Sequence, residues 1–176
     1  MVNNTDFLQS ELEDLYSLID RSDGIIIQGS LSSDDYEIKA AKYAIDNDIP
    51  TLGICTGFNN IIRATWGKVF AINDSEYNKK DGSIVHKNII KENTLLYDIL
   101  KTNEVYVNSI HAMFANKEDI KNLEISGYSD NGYVETIELK DKKFCLAVKW
   151  HPEMMTENKH MNDIFKYFID VCKKKW

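Results

Sequence analysis

Cys55 stands between two glycines in Leu52-Gly53-Ile54-Cys55-Thr56-Gly57-Phe58, where an apolar strand-like run meets a helix-like one. A polarizable nucleophile between strand and helix has the setting of a nucleophile elbow. Gly53 and Gly57 lie two residues to either side, where a sharp turn brings strand and helix backbones together and a β-carbon would collide, so the G-x-C-x-G spacing has a steric cause. A thiol at a helix N-terminus meets unpaired N–H groups and the positive end of the helix dipole, which favour the thiolate and can hold an oxyanion. Taken alone, the stretch fits equally well a buried cysteine serving as a small hydrophobe at a strand end.

The second chemical signal is Val148-Lys149-Trp150-His151-Pro152-Glu153, again after a strand-like run. Proline biases His151 toward an extended backbone, and extended geometry puts residues 151 and 153 on one side. A carboxylate beside an imidazole fixes its tautomer and stabilises the imidazolium formed when it takes a thiol proton, so Cys55, His151 and Glu153 have complete roles in acyl transfer. By itself a His-Pro-Glu run at a strand end is more often a surface turn, and a metal site is a weaker reading still.

The elements that must position these residues follow from hydrophobic periodicity. Leu8, Leu12, Leu15 and Ile19 recur at helical spacing among acidic residues, predicting an amphipathic helix over the first twenty residues that ends at Asp23-Gly24. Gly24 to Gln28 reads as a strand buried on both faces of a parallel sheet, and Gly29-Ser30-Leu31-Ser32-Ser33 as a loop. A helix over Asp34 to Asn47, with Tyr36, Ala40, Tyr43, Ala44 and Asn47 on its repeat, is broken by Asp46-Asn47-Asp48 and Pro50. A buried strand from Thr51 to Cys55 and a helix from Phe58 to Trp66, closed by Gly67, complete an alternation that builds βαβ crossovers.

The second half is richer in strands: Ser83 to Ile90, Glu104 to Asn108, Leu123 to Tyr128, Val134 to Leu139 and Phe144 to Trp150, with Asn131-Gly132 as a hairpin turn. A last helix from about Asn158 to Cys172 carries Met161, Ile164, Phe165, Phe168 and Val171 on one face, and Lys173-Lys174-Lys175 suits its dipole. No repeat, low-complexity tract or linker interrupts the 176 residues, so a single domain over 1–176 is expected.

Composition narrows the function classes. With 43% hydrophobic residues the chain is an ordinary globular one, and 28 acidic against 21 basic residues give a net charge of −7, which repels nucleic acid and anionic membrane surfaces. The longest apolar runs, such as Gly24-Ile25-Ile26-Ile27, are far below the roughly 20 residues that span a bilayer. Met1 to Asp6 lacks a positive segment leading into an apolar stretch, so a cytoplasmic protein is expected. The three cysteines, at 55, 145 and 172, form neither an even disulfide framework nor a CxxC pattern, and reduced thiols are the default. His86, His160, Cys145 and Cys172 have bland readings within strands and helices and receive no chemistry.

Gly53-Ile54-Cys55-Thr56-Gly57 and Trp150-His151-Pro152-Glu153 together resemble the class I glutamine amidotransferases. Ser22-Asp23-Gly24-Ile25-Ile26-Ile27-Gln28-Gly29-Ser30 and Val107-Asn108-Ser109-Ile110-His111 look like segments of that superfamily's γ-glutamyl-γ-aminobutyrate hydrolase, or peptidase C26, branch. The resemblance runs from about residue 22 to residue 172. It implies an α/β, flavodoxin-like fold with a mostly parallel sheet flanked by helices and additional antiparallel strands in the second half. It implies an oxyanion hole from the backbone N–H groups of Gly29 and Thr56, with Ser30 sharing the role of Gly29. It also implies that the Asn108-Ser109-Ile110-His111 loop holds the α-amino and α-carboxylate end of a γ-glutamyl group, although His111 reads equally as a hydrogen-bonded loop residue.

The chain departs from that pattern in three places. Gln28 replaces the proline that usually precedes the glycine of the first loop, and Asn59 replaces a frequent glutamine four residues after the nucleophile, which alters substrate reach there. Where the family has a strand, helix and strand before the segment resembling Asp23 to Gln28, this chain offers one helix, so the sheet is smaller, a partner covers its edge, or the reading frame is truncated.

The expected function is hydrolysis of a small-molecule γ-glutamyl amide: thiolate attack by Cys55, proton transfer by His151, a γ-glutamyl thioester, then attack by water to release glutamate. No metal or organic cofactor is needed for that sequence of steps. The alternative is a glutaminase subunit passing ammonia to a synthetase, since no G-x-x-x-x-G-K-[ST] phosphate loop is present. On either reading the expected partners are the γ-glutamyl substrate and a synthetase subunit or a second copy of the chain, with no nucleic acid and no membrane. A third reading, a binding or regulatory module that has kept the fold, draws on the short N-terminus and the Gln28 and Asn59 departures.

Overall fold

A computed structural model describes residues 4–30, 35–71, 78–79 and 82–174. The expected roles of the Leu8 side chain, of Leu31-Ser32-Ser33, of Asp34 and of Lys175 lie outside the described residues. A helix α1, Asn4–Asp20, leads into strand β1, Ile25–Ile27; helix α2, Asp35–Asp46, then precedes strand β2, Thr51–Ile54, and helix α3, Thr56–Ala64. The remaining strands are β3 (Phe70–Ala71), β4 (Ile84–Ile90), β5 (Glu104–Asn108), β6 (Met113–Phe114), β7 (Glu124–Ser129), β8 (Val134–Glu138) and β9 (Cys145–Val148). Helix α4, Leu95–Leu100, lies between β4 and β5, and helix α5, Lys159–Cys172, ends the described chain.

Seven strands form one sheet in the order β1-β2-β9-β8-β7-β4-β5. β1, β2 and β9 pair in parallel, and every pairing beyond β9 is antiparallel. The α/β fold expected from sequence is present, with its parallel part holding the elbow and its antiparallel part built by the second half. Strand alternation divides the core: Leu52, Ile54, Leu146, Val148 and Trp150 face α4 and α5, while Cys145 and Ala147 face α2 and α3. Trp150, 0% exposed, donates its indole N–H to Met161 Sδ at 3.1 Å and so fixes the chain beyond β9 to α5.

Several expectations change in the structure. β1 is not buried on both faces: it is the edge strand, and Ile26 is 48% exposed. On α2 the buried stripe is Ala41, Ala44 and Ile45, rotated from the predicted one, and Tyr36 is exposed. Tyr43 serves the α1 contact instead, stacking on Tyr16 with centroids 4.1 Å apart and donating its hydroxyl to Asp20 at 2.9 Å. α3 begins two residues earlier than Phe58, directly after Cys55. α4 was not expected at all; its six residues are too few to show a period, and it is held by caps. The Thr94 hydroxyl accepts from Tyr97 N–H, and the Glu138 carboxylate, far away in sequence, accepts from Leu95 N–H at 2.8 Å. Among the described residues no helix is long and apolar enough to cross a membrane.

Candidate active site

The turn between β2 and α3 carries Cys55 at φ 53° and ψ −99°, a left-handed region that L-residues seldom adopt. The neighbouring glycines make the turn possible. A β-carbon on Gly53 would stand 2.7 Å from Ile61 Cδ1 and 2.9 Å from Ala147 Cβ, and one on Gly57 would run into the Ile27 carbonyl. Gly29, at the end of β1, lies against the same turn: its β-carbon would be 2.6 Å from His151 Cε1 and 3.2 Å from Cys55 Cβ. The three strand ends therefore converge on the thiol because three positions lack side chains.

His151 approaches Cys55 from beyond the end of β9, and the two side chains meet beside Gly29. On its other side Nδ1 is 2.6 Å from Glu153 Oε1. The sequence places residues 151 and 153 on one side through an extended backbone; the structure achieves this otherwise. His151 is non-helical, at φ −108° and ψ 83°, but Pro152–Met154 is a turn of 3-10 helix, and that turn folds the carboxylate back onto the ring.

Burial pushes the Cys55 thiol up, but the hydrogen bond to His151, the charges of Lys149 and His151, and Thr56 outweigh it and hold the thiol below its ordinary value. Burial pulls His151 down, yet its bonds to Cys55 and Glu153 carry it up to about 9. Both shifts favour a thiolate–imidazolium pair. Cys145, by contrast, is pushed up to about 12 by burial and is inert as a nucleophile.

The expected oxyanion donors are adjacent to the thiol. Thr56 opens α3, where the first N–H groups have no helical acceptor. Its hydroxyl donates to Ser30 O at 2.6 Å and accepts from Ser30 N–H at 3.2 Å. That pair ties the loop after β1 to the elbow, and it commits the Ser30 N–H that was expected to share the role of Gly29.

The expected substrate contacts Asn59, Asn108, Ser109 and His111 are all buried and have protein partners. Asn108 donates to His151 O at 2.9 Å and accepts from His151 N–H at 2.8 Å, clamping the backbone of the histidine. Asn59 accepts from Lys149 Nζ at 2.7 Å. Ser109 Oγ lies 3.4 Å from His111 Nδ1, and His111 Nε2 is 3.7 Å from the buried Glu135. The intervening Ile110 carbonyl faces Cys55 Sγ at 4.0 Å. The sequence suggested no role for Lys149, Glu135 or His86, which are buried together behind the elbow. The available signal was a lysine and a glutamate at inward positions of apolar strands, Cys145-Leu146-Ala147-Val148-Lys149 and Val134-Glu135. Among the described residues no cluster of three or more metal-ligating side chains occurs.

Comparison with known proteins assigns the family: the peptidase C26 model matches residues 29–153, which span the elbow, the Asn108 loop and the His151-Glu153 turn. The chain belongs to the peptidase C26 family. Among curated relatives, this C26 protein is 31% identical to a CTP synthase of Saccharolobus solfataricus, over 96% of the chain and 37% of the relative. It is 32% identical to a CTP synthase of Sulfurisphaera tokodaii, over 84% of the chain and 34% of the relative. The chain thus spans little more than a third of the length of these relatives. In fold, it resembles the glutaminase domain of Trypanosoma brucei CTPS with bound acivicin, with a TM-score of 0.74 at 21% identity over 99% of this chain and 78% of that one. It also resembles a GMP synthase subunit protein from Thermoplasma acidophilum, with a TM-score of 0.69 at 23% identity over 92% of this chain and 78% of that one. The C26 chain is therefore a class I glutamine amidotransferase-like domain with the flavodoxin-like fold.

Proposed function

We propose that this chain is a glutaminase that releases ammonia for a synthase active site. The observation that carries the reading is the line of three groups at the elbow: Cys55 at a left-handed backbone position, the His151 ring against the same point beside Gly29, and Glu153, 2.6 Å from His151 Nδ1. The Cys55 thiolate adds to the carboxamide carbon of glutamine, and the carbonyl π pair moves onto oxygen, where the N–H groups of Gly29 and Thr56 receive it. His151 gives its proton to the amide nitrogen, the carbon–nitrogen bond breaks, and ammonia leaves a γ-glutamyl thioester on sulfur. The now neutral imidazole takes a proton from water as that water attacks the thioester; glutamate departs and the thiolate–imidazolium pair is restored. Glu153 keeps the ring oriented and stabilises its charged form throughout.

Asn108 holds the histidine through both backbone groups of His151. The likeness to CTP synthases supports glutamine as substrate and a synthase as recipient over the γ-glutamyl amine hydrolase reading. The peptidase C26 match keeps that second reading in play. One assay separates them: glutamate release from glutamine and from a panel of γ-glutamyl amines, measured for the chain and its Cys55→Ala variant. Cys55-dependent turnover of glutamine with little on the amines supports the glutaminase. The reverse preference supports the hydrolase, and equal release from both proteins overturns the nucleophile assignment.

A further inference from the structure

Lys149 is 1% exposed, an unusual place for a lysine. It follows β9 directly, and β9 is in register with β2 so that Val148 pairs with Ile54. The Val148 carbonyl accepts the Cys55 N–H at 3.0 Å, so Lys149 and Cys55 occupy matching positions at the ends of adjacent parallel strands. Alternation turns Lys149 to the α3 face, where its ammonium lies 2.7 Å from Asn59 Oδ1 and 5.4 Å from the centre of the Phe58 ring. Asn59 is one helical turn past the nucleophile, with its N–H on the Cys55 carbonyl.

A neutral amide and an aromatic face hold an ammonium in place, but they do not balance its charge. The charges that face it are Cys55 and Glu135, both favourable, and Arg63 on α3, unfavourable; burial, the largest influence, brings Lys149 down to about 8. Glu135 is fully buried on β8, and its carbonyl accepts the Lys149 N–H at 2.8 Å. Its carboxylate oxygens stand 3.5 Å from His86 Nε2 and 3.7 Å from His111 Nε2. His111 is kept well below its ordinary value by burial first and then by the charges of Lys149, His86 and His151, so it supplies no competing cation at neutral pH.

We propose that Lys149 is a positioning residue for the nucleophile: an internal cation, held by Asn59 and counterbalanced by Glu135, that stabilises the Cys55 thiolate from the α3 side of the sheet. This rests on Cys55 being the nucleophile, as in the proposed function. It gives the thiolate a second favourable charge, one that stays in place when His151 hands its proton to the leaving nitrogen.

The test is the pH dependence of Cys55 alkylation by iodoacetamide, read by mass spectrometry of the Cys55 peptide, which requires no glutamine. In Lys149→Gln and Lys149→Met the midpoint rises by about one pH unit, with a ~tenfold slower reaction on the acid side, while Lys149→Arg keeps the wild-type midpoint. A folded Lys149→Gln protein with an unchanged midpoint overturns the proposal. Should the neutral variants not fold, the wild-type chain suffices. Capping Cys55 with iodoacetamide removes the thiolate, and the Lys149 ammonium, followed by NMR, then titrates at lower pH. An unmoved Lys149 titration overturns the proposal. A midpoint shift in a chain that does not turn over glutamine supports the role of Lys149 and defeats the glutaminase reading; glutamine turnover without a midpoint shift does the opposite.

Discussion

Replacing Asn108 by alanine tests how the histidine is held. The Asn108 side chain is 0% exposed and makes two hydrogen bonds, at 2.8 and 2.9 Å, to the N–H and C=O of His151. Each costs about 1–2 kcal/mol to lose, between the ~0.5–1.5 kcal/mol net value of a hydrogen bond and the ~1–3 kcal/mol cost of a buried group left unsatisfied, since the His151 backbone is only partly buried. The expected destabilisation is therefore about 2–4 kcal/mol, measured from the urea midpoint at constant slope. For a chain of this length that corresponds to a fall of roughly 5–15 °C in Tm. Asn108→Leu, which fills the volume without the hydrogen bonds, remains destabilised and so separates lost bonding from an empty cavity. Because His151 carries the partner of the thiol, alkylation of Cys55 at neutral pH slows in both variants. An Asn108→Ala protein within about 0.5 kcal/mol of wild type, with an unchanged alkylation rate, refutes the clamp.

Three further outcomes follow from the same geometry. Burial lowers the His151 pKa while the bonds to Cys55 and Glu153 carry it up to about 9, so the imidazolium is populated below that pH and lost as pH rises through it. In Cys55→Ala the ring titrates at lower pH by NMR, and an unmoved value removes the thiol as its partner. Gly57→Ala forces a β-carbon into the Ile27 carbonyl and is expected to cost about 3 kcal/mol or more in urea unfolding, whereas Gly132→Ala, at φ 87° with open space around it, costs only ~1 kcal/mol; similar costs contradict the packed elbow. Brief iodoacetamide treatment at neutral pH labels Cys55 ahead of Cys145 and Cys172, both of whose thiols are pushed up by burial; equal labelling counts against an activated Cys55.

What the sequence made legible was set by which features are local. The elbow could be read because Gly53, Cys55 and Gly57 exclude side chains within a few residues of one another, and the structure shows the collisions that the spacing implies. The strands from Glu104 to Asn108 and from Thr51 onward were marked by β-branched runs with clear breaks. Helix α4 could not be read, since one of its caps, Glu138, arrives from another strand. The exposure of Ile26 depends on which strand is last in the sheet, and the stripe on α2 shifted because Tyr43 packs on Tyr16 of another helix. Asn108 was singled out as part of the γ-glutamyl-binding loop, but its clamp on His151 could not be read, because nothing nearby in the chain tells that His151 would lie against it. Lys149 sat in full view next to the motif, yet a lysine is read as solvated until the register of β2 and β9 is known.

The central claim is that Cys55 carries the γ-glutamyl group. Mixing the chain with glutamine, quenching in acid within the first turnover and mapping the digest by mass spectrometry tests it directly. The account predicts one γ-glutamyl group on the peptide bearing Cys55, labile at alkaline pH as a thioester is, and absent from Cys55→Ala. Glutamate release from a chain whose Cys55 never carries the group, or an adduct that persists in Cys55→Ala, contradicts it.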